Sequence, residues 1–147
     1  VNEGLTKIRM DFKQDYFGNT FKEGYYDNCT FSVKSSMYDT NDEKSNVIKL
    51  SPFTLDLTRP VIEEVTPIIS PTKDSTPDYT FSSSESGKLN FINGICSSNT
   101  SIISAGNNTI TFNKFNNGTF DDCTFSVTDI AGNQSYSISI SEFTISK

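Results

Sequence analysis

The chain has 147 residues, no histidine, and 18 acidic against 12 basic side chains, for a formal net charge of −6 at pH 7. That balance argues against a nucleic-acid partner, because phosphate binding needs a basic face. Without histidine, imidazole-based triads, His-bearing zinc sites and a histidine pH switch are excluded. No stretch approaches the ~18 apolar residues of a membrane helix, so membrane insertion is not expected.

The chain begins at Val1, and no signal peptide is recognisable in it. A processed product or a piece of a longer protein is therefore the expectation. In chain order, the first apolar pair is Ile8 and Met10, followed by the segment Gly24-Tyr-Tyr-Asp-Asn-Cys-Thr-Phe-Ser-Val33. That segment returns without a gap as Gly118-Thr-Phe-Asp-Asp-Cys-Thr-Phe-Ser-Val127, 94 residues later. Ser51-Pro-Phe-Thr-Leu55 then returns as Ser141-Glu-Phe-Thr-Ile145, 90 residues later. The four-residue difference falls in the polar stretch between Lys34 and Ser45, where a loop insertion is expected. Ile8 and Met10 sit opposite Ile110 and Phe112, but nothing in the first copy matches residues 61–107. A period of about 90 residues suits one β-sandwich domain. The division expected is a partial repeat over 1–59, its back half only, and a complete repeat over 60–147. The acidity is uneven: from Pro60 onward there are four basic and nine acidic residues.

Prolines 60, 67, 71 and 77 punctuate the start of the second copy. Proline cannot donate to a sheet ladder, so an edge strand and a stiff connection are expected there. Strands are predicted near 61–65, 79–83, 88–91, 95–97, 109–112, 119–128, 135–140 and 143–145, separated by Gly/Asn/Ser turns. Alternation places Cys123, Phe125 and Val127 on one face. Phe81, Leu89, Phe91, Ile110 and Phe112 are further inward candidates. No helix is predicted, so the fold class is all-β.

There are three cysteines. Cys96 and Cys123 share the complete copy and are expected to form a disulfide, the alternative being two buried thiols. Such a bond implies an oxidising compartment. Cys29 occupies the place of Cys123 in the first copy, and its partner position is missing there. Missing upstream sequence, a free thiol and a bond to another subunit are the three accounts of it.

The pattern Thr76-Pro-Asp-Tyr-Thr-Phe81, Gly94-x-Cys96, Ala105-Gly-Asn-Asn-Thr-Ile-Thr-Phe112, Gly118-x-Phe-x-x-Cys123 and Val127-Thr-Asp-x-Ala-Gly-Asn133 resembles bacterial Ig-like repeats of the Big type. Such repeats occur in tandem in large surface adhesins. The resemblance covers all of the second copy and the back half of the first. The first copy lacks the Ala-Gly-Asn turn, reading Val33-Lys-Ser-Ser-Met-Tyr-Asp-Thr-Asn instead. The resemblance implies an Ig-like antiparallel β-sandwich, an extracellular or cell-surface location, and a spacer, display or assembly role without enzymatic activity.

Adjacent carboxylates such as Asp121/Asp122 and Glu63/Glu64 point to opposite faces of a strand and do not form an acid/base pair. Calcium is the one candidate cofactor. Asp129 and Asn133 flank a turn, Asp56 sits at the junction between copies, and oxygen ligands from such places suit that ion. The plainer reading makes Asp129 and Asn133 Asx-turn residues. Asn28, Asn99, Asn107, Asn117 and Asn133 head Asn-x-Ser/Thr triplets, which carry sugar only in a glycosylating host.

Three readings follow. The first is a spacer or display segment of a surface adhesin, partnered by neighbouring repeats. The second is a self-assembling subunit of an extracellular filament or sheath, completed by strands from copies of itself. The third is a glycan- or receptor-binding module in which Tyr16, Phe17, Tyr25, Tyr26 or Tyr38 stacks on ligand.

Overall fold

The β-branched and aromatic runs of the sequence form thirteen short strands and no helix among the described residues, which are 21–32 and 47–147 of this computed structural model. The chain divides into two units, Val1–Asp56 and Leu57–Lys147.

The second unit begins with β5 (Ile62–Thr66), which lies between Pro60 and Pro67 and forms the edge of a three-stranded sheet. Its neighbours are β6 (Asp78–Ser83) and then β9 (Gly106–Thr111), all antiparallel. Alternation along β6 buries Tyr79, Phe81 and Ser83 and leaves the residues between them more exposed. The second sheet has the order β12 (Ile138–Ser139), β11 (Thr124–Thr128), β7 (Gly87–Phe91) and β8 (Ile102–Ile103).

The two sheets meet across an aromatic core. Phe81 of β6 packs edge-on to Phe125 of β11, with centroids 4.8 Å apart, and Tyr79 lies 6.0 Å from the same ring. Fully burying a side chain of this size stabilises by about 1.5–3 kcal/mol. The core continues through Phe112 and Phe115 to a third pairing, β10 (Gly118–Phe120) with β13 (Phe143–Ile145). There Phe115 packs on Phe120 at 4.5 Å and on Phe143 at 5.2 Å.

Two glycines are required by geometry. A Cβ on Gly87 would lie 2.4 Å from the carbonyl oxygen of Thr128, so only glycine lets β7 approach β11 this closely. Gly118 has φ of 152°, a conformation other L-residues rarely adopt.

In the first unit, β1 (Gly24–Tyr26) pairs with β4 (Phe53–Leu55), and β2 (Thr30–Phe31) pairs with β3 (Ile48–Lys49). These pairings repeat those of the second unit residue for residue. Gly24, Tyr25 and Tyr26 face Leu55, Thr54 and Phe53; Gly118, Thr119 and Phe120 face Ile145, Thr144 and Phe143. Thr30 and Phe31 face Lys49 and Ile48, as Thr124 and Phe125 face Ser139 and Ile138. Gly24 has φ of 151°, matching Gly118. Tyr26 stacks on Phe53 at 5.3 Å, and Phe120 stacks on Phe143 at 5.3 Å.

The structure departs from the expected strands in four places. The run 119–128 is broken at 121–123, because its first part joins β13 while its second joins β7 and β12. Residues 95–97 are not a strand: Cys96 is held by its bond to Cys123, and the only ladder contact nearby is the bridge between Ser98 and Phe112. The run 135–140 contracts to β12, because the Ser135 hydroxyl accepts the amide of Val127 and departs from regular pairing. Strand β8 was not anticipated, since Ile102–Ile103 sits among Ser and Asn with no alternation. The loop insertion between Lys34 and Ser45 and the match of Ile8 and Met10 lie outside the described residues.

Candidate functional site

The paired cysteines come first. Cys96 and Cys123 form a disulfide with Cα atoms 5.5 Å apart and a sequence separation of 27. Cys123 immediately precedes β11, and Cys96 lies in the connection after β7. Both residues are buried in the core cluster. Closing a loop of this length restricts the unfolded chain by about 3–4 kcal/mol. A buried disulfide is compatible with an oxidising, extracellular setting. Cys29 is a half-buried free cysteine. Its carbonyl accepts the Leu50 amide at 2.8 Å, as the Cys123 carbonyl accepts the Ile140 amide at 2.8 Å.

The second feature is the turn after β11. The Asp129 carboxylate is buried and accepts the backbone amide of Asn133 at 2.8 Å and its side-chain amide at 2.9 Å. The Asp129 amide in turn donates to the Asn133 carbonyl at 3.0 Å. Burial opposes the charged form, but these bonds, with the amides of Gly132 and Ala131, outweigh it and hold the Asp129 pKa below the usual carboxylate value. Asp129 and Asn133 are thus brought together as a turn whose polar groups satisfy one another.

A second carboxylate, Glu85, lies within 4.8 Å of Asp129. Glu85 follows β6 in the turn that leads to β7, and sequence reasoning passed over it because Ser84-Glu-Ser-Gly87 reads only as a turn. Two carboxylate oxygens are a fraction of the six to eight oxygens that calcium takes. Asp56 is half-buried and is the last residue of the first unit.

A third feature pairs a carboxylate with a phenol. Glu64 accepts the Ser141 hydroxyl at 2.6 Å and its amide at 3.0 Å, tying β5 to the segment before β13. Burial raises the Glu64 pKa, but the Ser141 bonds and Tyr79 bring it below the usual value. The Tyr79 hydroxyl is buried without a hydrogen bond of good geometry. Burial and the nearby Glu64 charge hold its pKa well above that of a free phenol.

Among the sugar-acceptor triplets, Asn28, Asn99, Asn107 and Asn117 are exposed, and Asn133 is half-buried with its amide nitrogen committed to Asp129. Of the aromatic candidates, Tyr25 is exposed and Tyr26 is stacked on Phe53. Tyr16, Phe17 and Tyr38 lie outside the described residues. The sequence reading overlooked Tyr136, which is exposed with the Arg59 guanidinium 4.6 Å above its ring. It lies beside an open polar recess of about 440 Å³ lined by Leu57, Arg59, Asn133, Gln134 and Ser135.

No family model matches the chain, and neither a curated protein nor a solved structure matches it. Function is therefore argued from these features alone. No helix among the described residues is long and apolar enough to cross a membrane.

Proposed function

We propose that the chain is an extracellular structural protein, a spacer or display segment of a cell-surface adhesin built from Ig-like repeats and without catalytic activity. The observation that carries the reading is the repeated register. Two segments 94 and 90 residues apart form the same strand pairs, with the same glycine conformation and the same aromatic stack. Duplication of a scaffold, rather than of a chemical site, is what a length-adding module requires. The buried disulfide and the self-satisfied 129–133 turn stiffen the second unit without offering a reactive group. Its partners in this reading are neighbouring repeats. Calcium enters only as a stiffening ion at Asp129 and Glu85, and a thermal midpoint that is the same with calcium and with chelator removes it. Sedimentation of the purified chain tests the main reading. A concentration-independent monomer supports the spacer, and ordered polymers overturn it in favour of the self-assembling subunit.

A further inference from the structure

The first unit contains the register of an acceptor whose complement can be identified. In the second unit, the segment 118–145 presents Cys123, Phe125, Ile140, Phe143 and Ile145, all buried against the segment 60–112. That segment contributes β5 to β9 and the cysteine that bonds Cys123. The first unit presents the equivalents Cys29, Phe31, Leu50, Phe53 and Leu55 in the same register, and each is half-buried. Leu50 donates to the Cys29 carbonyl as Ile140 does to that of Cys123. The backbone around Cys29 is thus arranged as it is around a cysteine that is bonded.

The sequence has three cysteines, and two of them are bonded to each other. A partner for Cys29 therefore lies outside these 147 residues. Another copy cannot supply it without loss. Each chain carries one donor segment, 60–112, and two acceptors, 24–55 and 118–145. Any exchange among copies leaves half of the acceptors unfilled, and the acceptor it vacates is the one that buries most apolar surface. Two Cys29 residues bonded to each other would join two acceptors and complete neither.

We propose that the segment 24–55 is a docking site for a polypeptide built like residues 60–112 of this chain but lying outside the 147 residues, and that a cysteine of that polypeptide at the place of Cys96 bonds Cys29. The inference rests on the repeat reading above and deepens it by naming the partner's chemistry. The bond forms by exchange. The Cys29 thiolate attacks the partner's cysteine sulfur in a mixed disulfide with glutathione, the old S–S bond breaks, and glutathione leaves as its thiolate. One disulfide is consumed and one is formed, so no further oxidant is needed.

The test mixes the 147-residue chain with equal amounts of two polypeptides, each carrying its single cysteine as the glutathione mixed disulfide. One has the sequence 60–112 and the other a scrambled sequence of the same composition. Mass spectrometry under non-reducing conditions reads the adducts at Cys29. Docking raises the local concentration of the reacting cysteine, so the 60–112 adduct should exceed the scrambled one by about tenfold or more. The Cys29→Ser chain should form neither. Hydrogen exchange at Phe31 and Leu55 should slow in the 60–112 adduct. Equal adducts, predominance of glutathionylated Cys29 or of Cys29–Cys29 dimers, or an adduct without added protection would each overturn the proposal. Those results leave the spacer reading standing when the chain is monomeric, whereas ordered polymers overturn the spacer reading whichever adduct forms.

Discussion

The segments 24–55 and 118–145 share strands, register and a stacked aromatic pair, yet they differ in burial. Phe125, Phe143 and Ile145 are at most 1% exposed, whereas Phe31, Phe53 and Leu55 are only half-buried. Local sequence therefore sets the pairing, while burial depends on the segment packed against it. Glycine at the left-handed position and an aromatic three residues before the cysteine are enough to place β1 on β4 and β10 on β13. What the second copy adds is the cover given by β6, β7 and β9, and with it the energy of a core.

Substitutions at equivalent positions should separate pairing from burial. The largest difference is expected at the phenylalanines. Phe125→Ala should destabilise the second unit by about 3–5 kcal/mol, and Phe31→Ala should leave that unit's unfolding unchanged. Urea unfolding followed by a probe in the second unit reads both. Equal losses would mean that the two copies unfold as one body.

Breaking the disulfide comes next. Cys123→Ala should cost about 2–5 kcal/mol, while Cys29→Ala, which closes no loop within the chain, should leave the second unit's midpoint in place. Gly118→Ala follows, at about 1–3 kcal/mol, because alanine is strained at φ near 150°. Gly24→Ala should disturb only the first copy's pairing, visible as lost exchange protection at Tyr26.

The smallest effect is a pH dependence confined to the second copy. Asp129 and Glu64 have folded pKa values below their ordinary ones. Their stabilising contribution is present above the unfolded carboxylate value, near 4, and is lost as pH falls through the lower folded values. Asp129→Asn and Glu64→Gln should each flatten the acid side of the stability–pH curve. An unchanged slope below pH 4 in both variants would contradict these assignments.

Much of this arrangement was legible in the sequence. The gapless match from Gly24 to Val33 located the repeated pairing, and alternation around Phe81, Leu89, Ile110 and Phe125 marked the core. The Asp129–Asn133 turn was readable because an Asx side chain four residues before its partner closes a local loop. Less was legible where tertiary contacts decide. Ile102–Ile103 is a strand only because β7 needs a neighbour. The run 119–128 looks continuous until the switch between sheets at Asp121 and Asp122 is known. Phe115 is buried among Asn and Lys, with no periodicity to announce it. Glu85 approaches Asp129 across 44 positions of sequence, a distance that local pattern does not span.

Native-state hydrogen exchange at Leu50 and Ile140 tests the central claim most directly, because each amide donates to the carbonyl of its copy's cysteine. Repetition of one register with unequal cover predicts protection at both, with Ile140 exchanging far more slowly. An unprotected Leu50 amide would show that the first copy does not share the pairing, and equal rates would show that the two copies are covered alike.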